Sequence, residues 1–136
     1  MDKFEWKEIY SVRIPDIDHQ HQYFFLLCKR MINCINKNKP DKMIKFAEEL
    51  IKYAYFHFYS EELLMSIYHY PGLEEHQEMH HKLLEDLNTN INQLQNNKQK
   101  PDEFIKFIIN WLLNHTTKED TKLADFLILN HLEDFQ

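Results

Sequence analysis

The amino-acid sequence predicts an all-α chain folded as an up-down-up-down four-helix bundle behind an N-terminal arm. Three observations lead there. Apolar residues recur three and four apart through segments of roughly 20 to 28 residues, the helical and not the strand period. Turn-forming residues cluster at four places, around Pro15, Pro40, Pro71-Gly72 and Pro101, and each proline marks a helix boundary. A single glycine among 136 residues excludes glycine-rich phosphate loops, dinucleotide fingerprints and chains of tight hairpins.

The elements follow in order within one domain: an arm over 1–17, the bundle over 18–129 and a tail over 130–136. The first helix is expected over 18–36, where Phe24, Phe25, Cys28, Ile32 and Ile35 form a stripe that His21 extends toward the helix start. The second, over 41–68, carries Leu50, Ala54, His57, Glu61, Leu64 and Tyr68 on one seam. In the third, over 73–95, the seam is His76, His80, Leu83, Leu87, Ile91 and Leu94. The fourth starts near Asp102 and shows Phe104, Ile108, Trp111, Leu112 and His115, then Asp120, Leu123, Phe126 and Leu127. Short connections make successive helices antiparallel neighbours.

Charge and composition exclude several classes. Asp and Glu outnumber Lys and Arg by 22 to 16, and no basic run carries interleaved aromatics, so no nucleic-acid partner is expected. No window approaches the roughly 20 apolar residues of a membrane span, and the N-terminal residues lack a signal-peptide hydrophobic region. A cytoplasmic chain without membrane contact is expected, monomeric or weakly self-associating. Cys28 and Cys34 lie about 240° apart around a common helix and cannot pair. Two free thiols used for packing fit a reducing compartment.

Nine histidines stand against this plain background. Antiparallel topology brings His21, His57, Glu61, His76, His80, His115 and Asp120 to one layer of the bundle, with an apolar plug of Ile35, Leu50, Ile91, Leu94 and Phe104 at the other end. Inward polar groups cost about 1 to 3 kcal/mol each when unsatisfied, and a bound cation removes that penalty. His57 and Glu61, like His76 and His80, are four residues apart and share a helix face. His115 and Asp120 are five apart, about 140° on a regular helix, so a π-bulge or break is expected between them.

The donor set selects the metal. No cysteine joins it, which excludes a thiolate zinc site. The segment His76-Gln77-Glu78-Met79-His80 lacks the glutamate after the first histidine that zinc proteases need. Imidazole with carboxylate suits two adjacent octahedral irons. Five imidazoles, two bridging carboxylates and one bridging oxo or hydroxo group fill eleven of their twelve positions, leaving one for a small exogenous ligand.

Four stretches carry a family resemblance across the chain: Trp6 with Ile17-Asp18-His19-Gln20-His21; His57-Phe58-Tyr59-Ser60-Glu61-Glu62; Tyr70-Pro71-Gly72-Leu73 with His76 and His80; and Trp111-Leu112-Leu113-Asn114-His115 with Asp120. The chain resembles the single-domain bacterial hemerythrins. The resemblance implies one iron on His76, His80 and His115, a second on His21 and His57, and Glu61 and Asp120 bridging them. The open position then lies on the iron with two imidazoles, in a dioxygen pocket lined by Phe24, Phe58, Trp111 and Leu112. One position departs from the pattern: Leu123 stands where the family often has Tyr.

The function expected on this basis is reversible dioxygen binding for storage, delivery or scavenging, without enzymatic activity. Oxygen or redox sensing, oxidase or peroxidase activity, and nitric-oxide chemistry at the same centre are the alternatives. His19, His69, His81 and His131 are expected to be bystanders, as is the Glu78/His81 pair.

Overall fold

The computed structural model describes residues 4–131, apart from the side chains of His115 and His131. A short 3₁₀ turn, Glu8–Tyr10, precedes α1 (Pro15–Asn36), α2 (Pro40–Ile67), α3 (Leu73–Gln95) and α4 (Pro101–Asn110). A π turn, Trp111–Thr116, then joins α4 to α5 (Thr117–His131). Helical backbone continues through both junctions, so α4, the π turn and α5 form the fourth rod. The rods α1 and α3 each pack against α2 and against the fourth rod. No strand occurs among the described residues.

Three helices open with proline in the first turn, where its fixed φ suits the helix and its missing N–H costs nothing. For that reason α1 begins at Pro15, three residues ahead of the expected Asp18, and takes in the end of the arm. Asp18 instead ties the arm down, accepting from Ser11 Oγ at 2.6 Å and from the Val12 N–H at 2.8 Å.

The helix ends explain how the chain manages with one glycine. Asn38, His69 and Asn97 all have φ between 55° and 59°, and each closes a helix in the left-handed conformation. The residue after each one donates back five positions: Lys39 to Cys34, Tyr70 to Met65 and Lys98 to Gln93, at 2.8–2.9 Å. Gly72 lies in the expected turn between α2 and α3, but at φ −95°. Its dihedrals do not call for glycine, but a Cβ there would meet the Tyr70 ring at 2.8 Å and the ring would have to shift.

The apolar interior has two parts. The larger cluster runs from Phe24, Phe58, Trp111 and Leu112 down to Leu50, Ile91, Leu94 and Phe104, with Ile35 only partly buried beside it. The smaller one gathers Val12, Ile14 and Ile17 from the arm and α1, Met65 from α2, and Leu123, Ala124 and Leu127 from α5. Leu123, the departure noted in the sequence, is fully buried in this second cluster.

The expected helix irregularity exists but begins earlier than its spacing suggests, at Trp111 and not after His115. Residues 104, 108, 112, 116, 120 and 124 recur every four positions and all are buried. On a regular α-helix that series drifts about 200° around the axis. The wider turn takes up much of the drift, and Thr117 N–H donates to Leu112 O, the five-residue step of a π turn.

Candidate metal centre

His21 on α1, His57 and Glu61 on α2, His76 and His80 on α3 and Asp120 on α5 converge in one layer, each 3% exposed or less. The side chain of His115, the remaining expected ligand, lies outside the described residues. Two triads able to hold an ion emerge, His21/His57/Asp120 and His76/His80/Asp120, with ligand atoms within 4.8 Å of one another in each. Asp120 belongs to both. Its Oδ2 lies 2.6 Å from His21 Nε2 and 2.7 Å from His57 Nε2, while its Oδ1 has no hydrogen-bond partner among the described residues.

Glu61 completes the link between the triads. Its Oε1 is 3.6 Å from His57 Nε2 and 3.2 Å from His80 Nε2, without hydrogen-bond geometry to either, and both its oxygens are unsatisfied among the described residues. Buried carboxylate oxygens without donors are costly, and a cation between them is the ordinary remedy.

Proton counting points the same way. His57 faces an acceptor on each side: Gln20 Oε1 at 2.5 Å from Nδ1 and Asp120 Oδ2 at 2.7 Å from Nε2. Burial pushes the His57 pKa down despite the opposing pull of Asp120, so the ring is neutral and has one proton for two acceptors. With that proton on Nδ1, a lone pair meets a carboxylate oxygen, and a metal ion fits between them. His80 repeats the arrangement: Nδ1 donates to Glu62 Oε2 at 2.9 Å and Nε2 is left unpaired toward Glu61.

The carboxylates are driven apart in their proton affinity. Burial and then the charge of Asp120 raise the Glu61 pKa well above the usual range. Burial also opposes ionisation of Asp120, but His57 and the hydrogen bond from His21 outweigh it and hold this carboxyl well below its usual value. His76 and His80 are lowered, burial being the main cause in each. His57, His76 and His80 are thus neutral imidazoles beside an ionised Asp120, and a cation would draw the Glu61 proton off as it binds.

Aromatic walls close the layer on its inner side. Phe58 stacks on His80 with ring centroids 4.1 Å apart, and Phe24 meets His57 edge-on at 5.3 Å. Trp111 contacts both phenylalanines and is anchored by Nε1–H donation to Leu83 O at 3.0 Å. Leu112 is buried beside them. On the other side stand the arm and α5 with the second apolar cluster.

Of the residues expected to be bystanders, the side chain of His131 lies outside the described residues and the others stay outside the layer. His19, His69 and Glu78 are exposed, and His81 pairs with Glu85 on the surface at 3.1 Å. Sequence reasoning missed two members of the site, Gln20 and Glu62, which hold the outer nitrogens of His57 and His80. Their signal was adjacency, since each sits next to a residue of the inward seam.

The comparisons agree with this geometry. The family model described as "Hemerythrin HHE cation binding domain" matches residues 12–127. The chain is 26% identical over 128 residues to a bacteriohemerythrin of Clostridium acetobutylicum, covering 90% of this chain and 99% of that protein. It is 28% identical over 124 residues to a hemerythrin-like protein of Naegleria gruberi, covering 91% and 93%. A bacteriohemerythrin of Pseudomonas aeruginosa is 23% identical over 120 residues, covering 88% and 78%. The chain therefore belongs to the hemerythrin family, and its buried histidine and carboxylate layer is the seat of that family's di-iron centre.

Proposed function

We propose that the protein binds dioxygen reversibly, for storage, delivery or scavenging, and does not turn over a substrate. The observation that carries this reading is the pairing of two triads able to hold a metal on one shared carboxylate beside a buried aromatic wall. His76, His80 and His115 would hold one iron and His21 and His57 the other, with Glu61 and Asp120 shared between them. An iron pair supplies the two electrons that dioxygen takes up when it binds.

The protein's own residues provide the rest. Gln20 and Glu62 fix their imidazoles with Nε2 inward. Phe24, Phe58, Trp111 and Leu112, all 2% exposed or less, exclude water from the inner side. No described helix is long and apolar enough to cross a membrane.

Iron content together with optical spectra through anaerobic reduction, air exposure and deoxygenation tests the reading. An iron pair per chain is expected, with a visible charge-transfer band that forms with oxygen and vanishes on its removal. Irreversible oxidation in a single exposure would overturn it. As a ligand test, His115→Ala should abolish assembly of the pair.

A further inference from the structure

We infer that Glu62 and Gln20 tune the two metal positions unequally, Glu62 acting through His80 and Gln20 through His57. The inference rests on the di-iron reading above. Each triad has one imidazole whose Nδ1 is held by a side chain from the preceding helix. Gln20 on α1 accepts from His57 at 2.5 Å, and Glu62 on α2 accepts from His80 at 2.9 Å. No other described imidazole of the layer has a side-chain hydrogen bond to its outer nitrogen; the His21 Nδ1 is unpartnered among the described residues.

The two contacts do the same positioning. Both acceptors are partly buried, both fix the tautomer with the proton on Nδ1, and both leave the Nε2 lone pair facing the shared carboxylates. They differ in charge. An imidazole N–H donating to a carboxylate gives up more of its positive character than one donating to a neutral amide oxygen. The ring of His80 is therefore the richer donor at Nε2, and it favours the more highly charged state of the ion it holds.

The bridging groups cannot create this difference. Asp120 belongs to both triads, and Glu61 Oε1 lies between His57 and His80, so their charges act on both positions. The His76/His80 position would also take His115 as a third imidazole, and the acid on one side and the amide on the other act on top of that difference in ligand number. The iron at the His76/His80 position should accordingly give up its electron at a lower potential than the iron at His21/His57. Glu62 and Gln20 are positioning residues, since neither reaches a metal position itself.

Stepwise reductive titration of the iron-loaded protein, with an external one-electron reductant and mediators, tests the assignment. Glu62→Gln keeps the acceptor on His80 and removes only its charge. It should retain the iron pair while the lower of the two potentials moves upward. Gln20→Glu adds a charge at the other position and should move the higher potential downward, so both variants narrow the gap between the steps. A role in positioning alone would leave both potentials unchanged in iron-replete variants, and that result overturns the inference. If Glu62→Gln loses its iron, Gln20→Glu decides: a downward shift supports the assignment and no shift overturns it. A wild-type chain that takes up no iron pair would sink the di-iron reading and this inference together, whereas an intact wild-type pair with unmoved variants sinks the inference alone.

Discussion

His57 Nε2 on α2 and Asp120 Oδ2 on α5 lie 2.7 Å apart, both side chains sealed from solvent, while Gln20 Oε1 faces the other ring nitrogen at 2.5 Å. With the single His57 proton on Nδ1, toward Gln20, the contact with Asp120 joins two acceptors. Asp120 also faces His21 at 2.6 Å and is common to both triads. Asp120→Ala should therefore empty both positions and not one, with iron per chain falling close to zero by metal analysis. Retention of one iron would show that one position assembles without the shared carboxylate.

Trp111→Phe removes the N–H donated to Leu83 O and leaves space between Phe24 and Phe58. Lost hydrogen bonding and packing should cost about 1 to 3 kcal/mol of stability, measured by urea unfolding of the metal-free chain. The same variant should lose bound dioxygen faster in stopped-flow dissociation, because water gains access to the inner wall.

The metal-free chain should lose stability on acidification through the histidine range. His57, His76 and His80 are held below the ordinary value of 6.5, chiefly by burial. Below pH 6.5 the unfolded chain takes up protons that the folded chain refuses, so unfolding is favoured as pH falls. Glu61 acts in the opposite sense, its raised pKa giving stability that is present below 4.5 and is lost as pH rises. Three imidazoles against one carboxyl leave the acid-side loss dominant between these values. Urea midpoints of the metal-free chain from pH 7.5 to 5 should fall, and iron loading should steepen the fall, because protons compete with metal for the same nitrogens.

His69 adopts φ 57° at the end of α2, a conformation that costs a non-glycine residue about 1 to 2 kcal/mol. Part of that gain is offset by the greater freedom of glycine in the unfolded chain. His69→Gly should raise stability by about 0.5 to 1 kcal/mol in thermal unfolding, with iron content unchanged, since His69 is exposed and is not among the converging donors.

The bundle was legible because its signals are local. Proline at three helix starts and the three- and four-residue apolar spacing determine where α1 to α4 lie, and α3 occupies 73–95 as expected. The site was legible because His57/Glu61 and His76/His80 each report one face of one helix. What escaped depends on side chains meeting across helices. Gln20 and Glu62 are unremarkable polar residues until α1 is set beside α2 and α2 beside α3. The position of the π turn escaped as well. The separation of His115 and Asp120 signals an irregularity, but its start at Trp111 follows from keeping residues 104 to 124 on the buried side.

The second apolar cluster joins the beginning of the chain to its end: Val12, Ile14 and Ile17 meet Leu123, Ala124 and Leu127 across the layer's outer side. A ribosome delivers those two sets more than a hundred residues apart. During synthesis the nascent bundle can therefore bring His21, His57, His76 and His80 near one another while the chamber still lacks its lid and its shared acid. Sealing has to wait for α5, which delivers Asp120 and the closing leucines on one helix, so one late segment both completes the donor set and shuts out water.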